Sequence, residues 1–261
     1  MKLLTLKQYE AKLKARKSAN FPKLENNVDV NGNKVTITPT IPVTFSLRSQ
    51  CPIPYDQGQL GSCTANAIAG NIDMIETNKT FSPSRLFIYQ NEVLVEDGKL
   101  VDDGADDMDG LVYISKNGVC SEITWPYNIS KFTTIPPQTA YAEAKNHICT
   151  GIISISKDAN FINNIKTQIS QGHPVLVGII CFPGIQGPTT AKTGIVPMPS
   201  PGVQPIGGHE ILAVAYDATT ITCLNSWGPN WGDKGFCHFP LAYVQAYFNE
   251  ANLITGFNNT A

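Results

Sequence analysis

Residues 55–67 read YDQGQLGSCTANA, a turn rich in Gly and Gln that leads into a cysteine and a helix-forming run. Ser62 is a residue type that caps helices, so Cys63 is predicted to lie in the first turn of a helix that continues to about Glu76. The unpaired backbone N–H groups and the positive dipole end of such a turn favour an anion. The stretch therefore predicts a stabilised thiolate, the nucleophilic form of cysteine, although a small buried thiol fits the same residues.

The composition is that of an ordinary globular protein, with 261 residues of which 42% are hydrophobic and 15% charged. The net charge of −2 gives no positive field, so we predict no binding to nucleic acid or to an anionic membrane. No run of about eighteen apolar residues is present, which excludes a membrane span on sequence grounds. The N-terminal residues lack the apolar core of a signal peptide.

The seven cysteines are an odd number, and no two are spaced as C-x-x-C. At least one thiol must therefore be free, and neither a zinc ribbon nor a thioredoxin-type site is predicted. A chain without a secretory signal usually keeps its thiols reduced, although the sequence also allows one or two disulfides.

The hydrophobic pattern predicts a mainly helical first half and a mainly β second half. Residues 1–44 differ in composition from the rest and are interpreted as an N-terminal arm that begins with a basic helix over 1–20. Further helices are predicted over 63–76, 86–95, 111–117, 139–147 and 160–171. Strands are predicted over 152–155, 174–180, 211–216, 221–225 and 235–239, with a long Pro/Gly-rich loop between 183 and 208.

A nucleophilic cysteine needs a base, and the chain has only four histidines. His209 follows two glycines and opens the predicted strand of residues 211–216, which places it at the edge of a cleft. His147 is predicted on a polar helix, His173 in a turn and His238 in a hairpin. His209 is the best candidate, although a structural role fits it equally well when it is taken alone.

The run NSWGPNWG at residues 225–232 supplies a third group. Asn225 can orient the imidazole by accepting a hydrogen bond from a ring N–H, and two tryptophans can exclude water from that bond. An Asx turn with two core tryptophans is the structural alternative. Three such clusters in one chain are far less easily explained by chance than any one of them.

These three clusters resemble the motifs of the papain family of cysteine proteases, and they occur in the family's order. Gln57 precedes Cys63 by the expected six residues, His209 follows Cys63 by 146 residues, and Asn225 follows it by 162. The separation of 146 residues between Cys63 and His209 lies within the range of about 130–150 residues for this family. The separation of 162 residues between Cys63 and Asn225 is slightly longer, and the long loop accounts for the difference. The resemblance covers about residues 45–257 and is closest to the short-prosegment members of microbes and large DNA viruses.

The resemblance implies a role for each matched residue. Cys63 is the nucleophile, His209 the general acid and base, and Asn225 the group that orients His209. The Gln57 side-chain amide and the Cys63 backbone N–H form the oxyanion hole. The residues implied to contact substrate or to wall the cleft are Gly104, Ala105, Gly208, Trp227 and Trp231.

The resemblance also implies an α+β fold with two lobes and an active-site cleft between them. The helical lobe is expected over about 45–150 and the antiparallel, barrel-like lobe over about 151–257. The family's cysteine before the nucleophile is Leu60 here, and its following aromatic residue is Thr64, so the family's disulfide pattern is not carried over. Residues 1–44 are too few for the family's long pro-domain, and we hypothesise that this arm still covers the cleft as an intramolecular inhibitor.

The acidic run DDGADDMD at residues 102–109 does not match the spacing of an EF-hand calcium loop. We interpret it as a solvated rim, and if it flanks the substrate it predicts a preference for basic peptides.

The leading hypothesis is a monomeric cysteine endopeptidase that acts on polypeptides with no metal and no cofactor, in the cytoplasm or a virion. An exopeptidase of the same family and a catalytically silent binding or scaffold protein remain alternatives. A transglutaminase-type acyl transferase is less favoured, because those enzymes usually orient the histidine with Asp rather than Asn.

Overall fold

The computed structural model describes residues 2–15, 41–76 and 80–260. The predicted tail of the arm between residues 16 and 40 lies outside these residues. The helices of the described part are α1 (Leu6–Ala15), α2 (Cys63–Ile75), α3 (Arg85–Asp97), α4 (Asp107–Asn117), α5 (Gln138–Ala144), α6 (Phe161–Ser170), α7 (Pro188–Thr193) and α8 (Leu241–Tyr247). The strands are β1 (Phe45–Ser46), β2 (His147–Ile155), β3 (Val175–Cys181), β4 (Gly207–Tyr216), β5 (Thr220–Leu224), β6 (Phe236–Pro240) and β7 (Phe248–Asn259).

The strands form one antiparallel sheet in the order β2-β7-β3-β4-β5-β6, with β1 added against β4. Every residue of β4 is buried, which is expected for a strand with neighbours on both edges and helices against it. Its register with β3 sets His209 opposite Ile179 and Gly208 opposite Ile180. The start of β4 therefore carries His209 to the end of the sheet that borders α2.

Helix α2 packs against β4 on one side and against α3 and α4 on the other. Its sequence is rich in Ala, and eleven of its thirteen residues are buried. A helix that is apolar on nearly all faces is typical of a buried position. This burial fixes the N-terminal turn of α2 next to the sheet, and the mixed α+β fold with antiparallel sheet confirms the predicted fold class.

Helix α4 begins four residues earlier than predicted, because the acidic run itself starts it. The Asp106 carboxylate accepts a hydrogen bond from the Met108 N–H at 2.9 Å, and Asp107 and Asp109 follow in the first turn. Asp106 is 6% exposed and Asp107 only 1%. The interpretation of the whole acidic run as a solvated rim is therefore wrong, since residues 104–108 are buried and only Asp102, Asp103 and Asp109 reach solvent.

Two further predictions of secondary structure are corrected, and two elements were not predicted. The loop after β3 contains a 3₁₀ turn (Pro183–Gln186) and helix α7, which has Pro188 at its first position and Gly194 with φ 73° at its end. His147 does not lie on a helix but opens β2, where its ring stacks on Phe81 at 4.1 Å. Helix α8 and strand β7 had no predicted counterpart.

All seven cysteines are free thiols in the structure. Among the described residues, no helix has both the length and the apolar character that crossing a membrane requires. The boundaries of the arm and of the two lobes stay predictions.

Candidate active site

Cys63 is the first residue of α2, as predicted, and it is only 1% exposed. Ser62 precedes the helix, but its hydroxyl makes no capping bond. That hydroxyl instead pairs with the Tyr127 hydroxyl at 2.6 Å. The predicted capping role of Ser62 is therefore wrong, because a second hydroxyl competes for its side chain.

His209 is held by Asn225, with 2.8 Å between Nε2 and the Asn225 side-chain oxygen. The same oxygen accepts from the Ser226 N–H at 2.8 Å. Because an amide oxygen only accepts, Nε2 carries the proton and Nδ1 is the basic nitrogen of the neutral ring. Nδ1 is buried and has no hydrogen-bond partner among the described residues.

The two tryptophans of the predicted motif cover this pair. The Trp227 ring stacks on the His209 ring with 4.8 Å between centroids and 24° between planes. Trp231 packs edge-on against Trp227 at 4.7 Å. Both tryptophans are buried, so the hydrogen bond between His209 and Asn225 lies away from bulk water.

Gln57 is fully buried and its side chain is held at both ends. The amide oxygen accepts from the Ser226 hydroxyl at 2.7 Å. The amide nitrogen donates to the Leu60 carbonyl at 3.0 Å and to the Lys2 carbonyl at 3.1 Å. The Gln57 amide thus donates to a peptide carbonyl of the N-terminal segment.

One cavity contains both Cys63 and His209. Its wall also includes Leu4 and Tyr9 of the N-terminal segment, together with Ala105. The fold therefore brings the proposed nucleophile and base to one place, from the start of α2 and the start of β4. The remaining lining residues are Lys12, Thr64, Asp106, Asp107, Glu210 and Glu250.

The N-terminal segment lies directly on the glycines that were predicted to contact substrate. A Cβ atom at Gly104, which has φ 77°, would come within 1.7 Å of the Leu4 side chain. A Cβ atom at Gly208 would come within 2.1 Å of the Tyr9 ring. The Gly208 N–H donates to the Leu4 carbonyl at 3.1 Å, which makes an antiparallel bridge.

Burial keeps both proposed catalytic groups uncharged in this arrangement. Burial raises the pKa of the Cys63 thiol to about 11, although the backbone N–H groups of Glu210 and Thr64 act to lower it. Burial lowers the pKa of His209 to about 4, against the opposing effect of its bond to Asn225. Backbone N–H groups at the helix start act to lower the pKa of the thiol, but desolvation by burial outweighs them, so the prediction of a stabilised thiolate is wrong for this arrangement.

Three carboxylates line the far side of the cavity. Asp107, Glu210 and Glu250 each offer an oxygen atom within 4.8 Å of the others, which is a spacing that a metal ion can bridge. Each of them also interacts with other groups of the chain, among them the Asn252 amide that donates to Asp107 at 2.7 Å. The cluster is therefore explained without an ion.

Two residues with clear contacts to the site were not predicted. Ser226 holds the Gln57 amide, and its position directly after Asn225 in the NSWG run was the available signal. Tyr127 joins two parts of the nucleophile segment, because its hydroxyl contacts Ser62 and donates to the Gln57 carbonyl at 2.9 Å. No local pattern around Tyr127 indicates this contact.

Comparisons with known proteins show which family the chain resembles. A sequence model of the papain family cysteine proteases matches residues 41–250. The chain is 40% identical over 229 residues to an uncharacterized peptidase C1-like protein of Acanthamoeba polyphaga mimivirus, with 82% of this chain and 72% of that protein covered. It is 27% identical over 184 residues to mexicain of Jacaratia mexicana, with 69% and 79% covered.

Among solved structures, xylellain, a cysteine protease from Xylella fastidiosa, is similar over most of both chains. Its TM-score is 0.76 at 28% identity, with 92% of this chain and 97% of that chain covered. The match of the family model over most of the chain and the 40% identical relative place the sequence in one family. The chain belongs to the papain family of cysteine proteases.

Proposed function

We propose that the protein is a cysteine endopeptidase and that Cys63 attacks the carbonyl carbon of the scissile peptide bond. One observation carries the proposal: Asn225 holds His209 through Nε2, Nδ1 has no hydrogen-bond partner among the described residues, and His209 lines the same cavity as Cys63. A nucleophile beside a base that is oriented by a third group is the arrangement that covalent catalysis needs.

The proposed reaction runs in two halves. His209 Nδ1 takes the proton of Cys63, and the sulfur forms a bond to the carbonyl carbon. The protonated His209 then gives that proton to the departing amine as the carbon–nitrogen bond breaks, which leaves an acyl-enzyme. A water molecule that loses its proton to Nδ1 hydrolyses the thioester and releases the acid and the thiol.

The Gln57 amide and the Cys63 backbone N–H are the proposed donors to the oxyanion. The contact between Gln57 Nε2 and the Lys2 carbonyl supports this role, because a peptide carbonyl already occupies the position in front of the amide. Loss of one such donor typically costs about 100- to 1,000-fold in rate.

Endopeptidase activity is tested with peptides of about ten residues that are blocked at both ends. We expect internal cleavage, detected by mass spectrometry of the products, and its loss in His209→Ala. His173→Ala is the matched control, because His173 lies in the segment before β3 and does not line the cavity that contains Cys63. Cleavage confined to peptides with a free terminus would favour the exopeptidase alternative, and no cleavage of either kind would favour the scaffold alternative.

We further propose that the N-terminal arm restrains the enzyme as a precursor. Three contacts of the arm support this proposal, because they fall on residues proposed to bind substrate: Leu4 against Gly104, Tyr9 against Gly208 and the Lys2 carbonyl on Gln57. The high pKa of Cys63 under this cover supports the same proposal, since a buried thiol at neutral pH is a poor nucleophile.

Leu4→Gln in the full-length chain tests the restraint. Burial of a Leu side chain contributes about 2 kcal/mol, so its loss is expected to raise the initial rate of peptide cleavage at least about tenfold. Lys7→Gln is the control, because Lys7 lies on the exposed face of α1. Equal rates for the two variants would contradict the proposed restraint.

A further inference from the structure

Lys2 makes two contacts with the cleft, one through its backbone and one through its side chain. Its carbonyl oxygen accepts from Gln57 Nε2 at 3.1 Å. Its ammonium group donates to the Asp102 carbonyl at 2.8 Å and forms an ion pair with Asp102 Oδ2. Lys2 therefore contacts both the Gln57 amide, which is the proposed oxyanion donor, and the Asp102 carboxylate.

Asp102 is held in place by the protein and not by Lys2 alone. Its Oδ1 accepts from the Gly61 N–H at 2.9 Å and from the Tyr89 hydroxyl at 2.6 Å. The same tyrosine oxygen accepts from the Gly104 N–H at 3.1 Å. These bonds hold Oδ1, so that Oδ2 faces the ammonium group, and one of the donors, Gly61, lies two residues before the proposed nucleophile.

The residue that supplies the scissile carbonyl of a substrate must place that carbonyl on the Gln57 amide, as Lys2 does. Its side chain starts from the adjacent Cα atom, so a long basic side chain can follow the path of the Lys2 side chain to Asp102. The Asp102 side chain is 24% exposed, so water screens the ion pair only in part. An ammonium or guanidinium group fits this carboxylate better than any neutral group of equal length.

We infer that Asp102 is a specificity-determining residue, which selects substrates with Lys or Arg as the residue whose carbonyl is attacked. The inference rests on the proposed function, because it assigns a subsite to the same cleft. Lys2 of the arm is then a basic group that occupies the subsite until a substrate displaces it.

The test compares two blocked peptides that differ only in Arg or citrulline before the cleaved bond, with the full-length chain as enzyme. Citrulline keeps the length and planarity of Arg but has no charge. The ratio of the two kcat/KM values is independent of the fraction of molecules with an open cleft, because that fraction scales both values equally. A charge-assisted hydrogen bond predicts a ratio of about tenfold in favour of Arg.

Asp102→Asn is expected to reduce this ratio to about threefold or less. Asn keeps an oxygen that can accept from Gly61 and Tyr89, so the variant removes the charge and not the support of the loop. Asp103→Asn is the matched control, because the Asp103 carboxylate accepts from Gln8 and not from Lys2. It is expected to keep the full ratio.

The inference is overturned if the wild-type chain cleaves both peptides equally, or if Asp102→Asn keeps the wild-type ratio with an unchanged melting temperature. It is also overturned if neither peptide is cleaved although an epoxide inhibitor modifies Cys63, since a reactive thiolate then makes no use of the basic residue. Absence of both cleavage and Cys63 modification would instead count against the proposed function itself.

Discussion

The Ser226 hydroxyl donates to the side-chain oxygen of Gln57 at 2.7 Å, and both residues are buried. Their backbones are also joined, because the Gln57 N–H donates to the Ser226 carbonyl at 2.9 Å. A donor fixed on the amide oxygen turns the amide nitrogen to the other side, where it meets the Lys2 carbonyl. Ser226 therefore decides which end of the Gln57 side chain faces the proposed oxyanion position.

Ser226→Ala is expected to lower kcat for peptide cleavage about tenfold, less than the loss of a whole oxyanion donor, with KM within about twofold of the wild type. The Gln57 amide keeps its bond to the Leu60 carbonyl but loses the donor that fixes its oxygen, so its orientation is held less tightly and the effect falls on the transition state. Steady-state kinetics of the full-length chain measures both constants.

Ser170→Ala is the control for this change, because the Ser170 hydroxyl bonds the Thr167 carbonyl on α6. It is expected to leave both constants unchanged. A Ser226→Ala variant with the wild-type kcat would show that the hydroxyl does not position Gln57.

The depressed pKa of His209 predicts a loss of stability in acid. The folded chain protonates His209 only near pH 4, whereas a histidine in the unfolded chain binds a proton near its ordinary pKa of 6.5. The unfolded state therefore binds more protons between these values, so the free energy of unfolding falls as the pH drops from about 6.5 to about 4.

Urea unfolding at pH 7 and pH 4.5 checks this window. The wild type is expected to lose on the order of 2–3 kcal/mol more than His209→Gln between the two pH values. The comparison removes the contribution of carboxylates that titrate in both proteins. Equal losses in the two proteins would contradict a buried, neutral His209.

Glu92 predicts the opposite trend with pH. Its side chain is fully buried, Oε2 accepts from the Thr64 hydroxyl at 2.7 Å, and Oε1 has no hydrogen-bond partner among the described residues. Burial raises its pKa well above the ordinary value of 4.5. The contribution of Glu92 to the free energy of unfolding therefore falls as the pH rises above about 4.5, because the unfolded carboxyl loses its proton more easily.

Glu92→Gln keeps the shape and an acceptor for Thr64 but cannot ionise. It is expected to be more stable than the wild type by about 1 kcal/mol or more at pH 8, with a smaller difference at pH 5. Urea unfolding at both pH values gives the comparison. A variant that is less stable than the wild type at pH 8 would contradict a free-energy cost of burying the ionised Glu92 carboxylate.

The proposed catalytic residues were predictable because each stands in a short run whose chemistry is local. Cys63 follows a turn and opens a helix, His209 follows the two glycines that open β4, and Asn225 comes directly after β5. Their meeting in one cavity depends on the antiparallel register of β4 with its neighbours, which no single run encodes. The prediction that the three residues meet came from the resemblance to a family, which rests on the order and spacing of the motifs along the chain.

The contacts that were missed join residues far apart in sequence. Asp102 bonds Gly61 across 41 residues, and Tyr127 bonds Gln57 across 70. Such contacts have no periodicity that a sequence pattern can reveal. The prediction for the acidic run was wrong because Asp is common both at helix starts and in solvated loops, so its presence does not distinguish the two.

Strand β7 was not predicted because polar residues interrupt its apolar ones. Residues 251–254 are buried, whereas Asn249 and Glu250 before them are polar and only partly buried. The strand lies between β2 and β3 in the sheet. Its position in the sheet, and not its own pattern, makes it a strand.

The most direct test of the account is chemical labelling of Cys63. The full-length chain, Leu4→Gln and Cys63→Ala are each incubated with an epoxide inhibitor of thiol proteases, and the modified residue is located by mass spectrometry. We predict a single adduct on Cys63, formed faster in Leu4→Gln and absent in Cys63→Ala, with the other six cysteines unmodified. An unmodified Cys63 in both the full-length chain and Leu4→Gln would contradict the assignment of this thiol as the nucleophile.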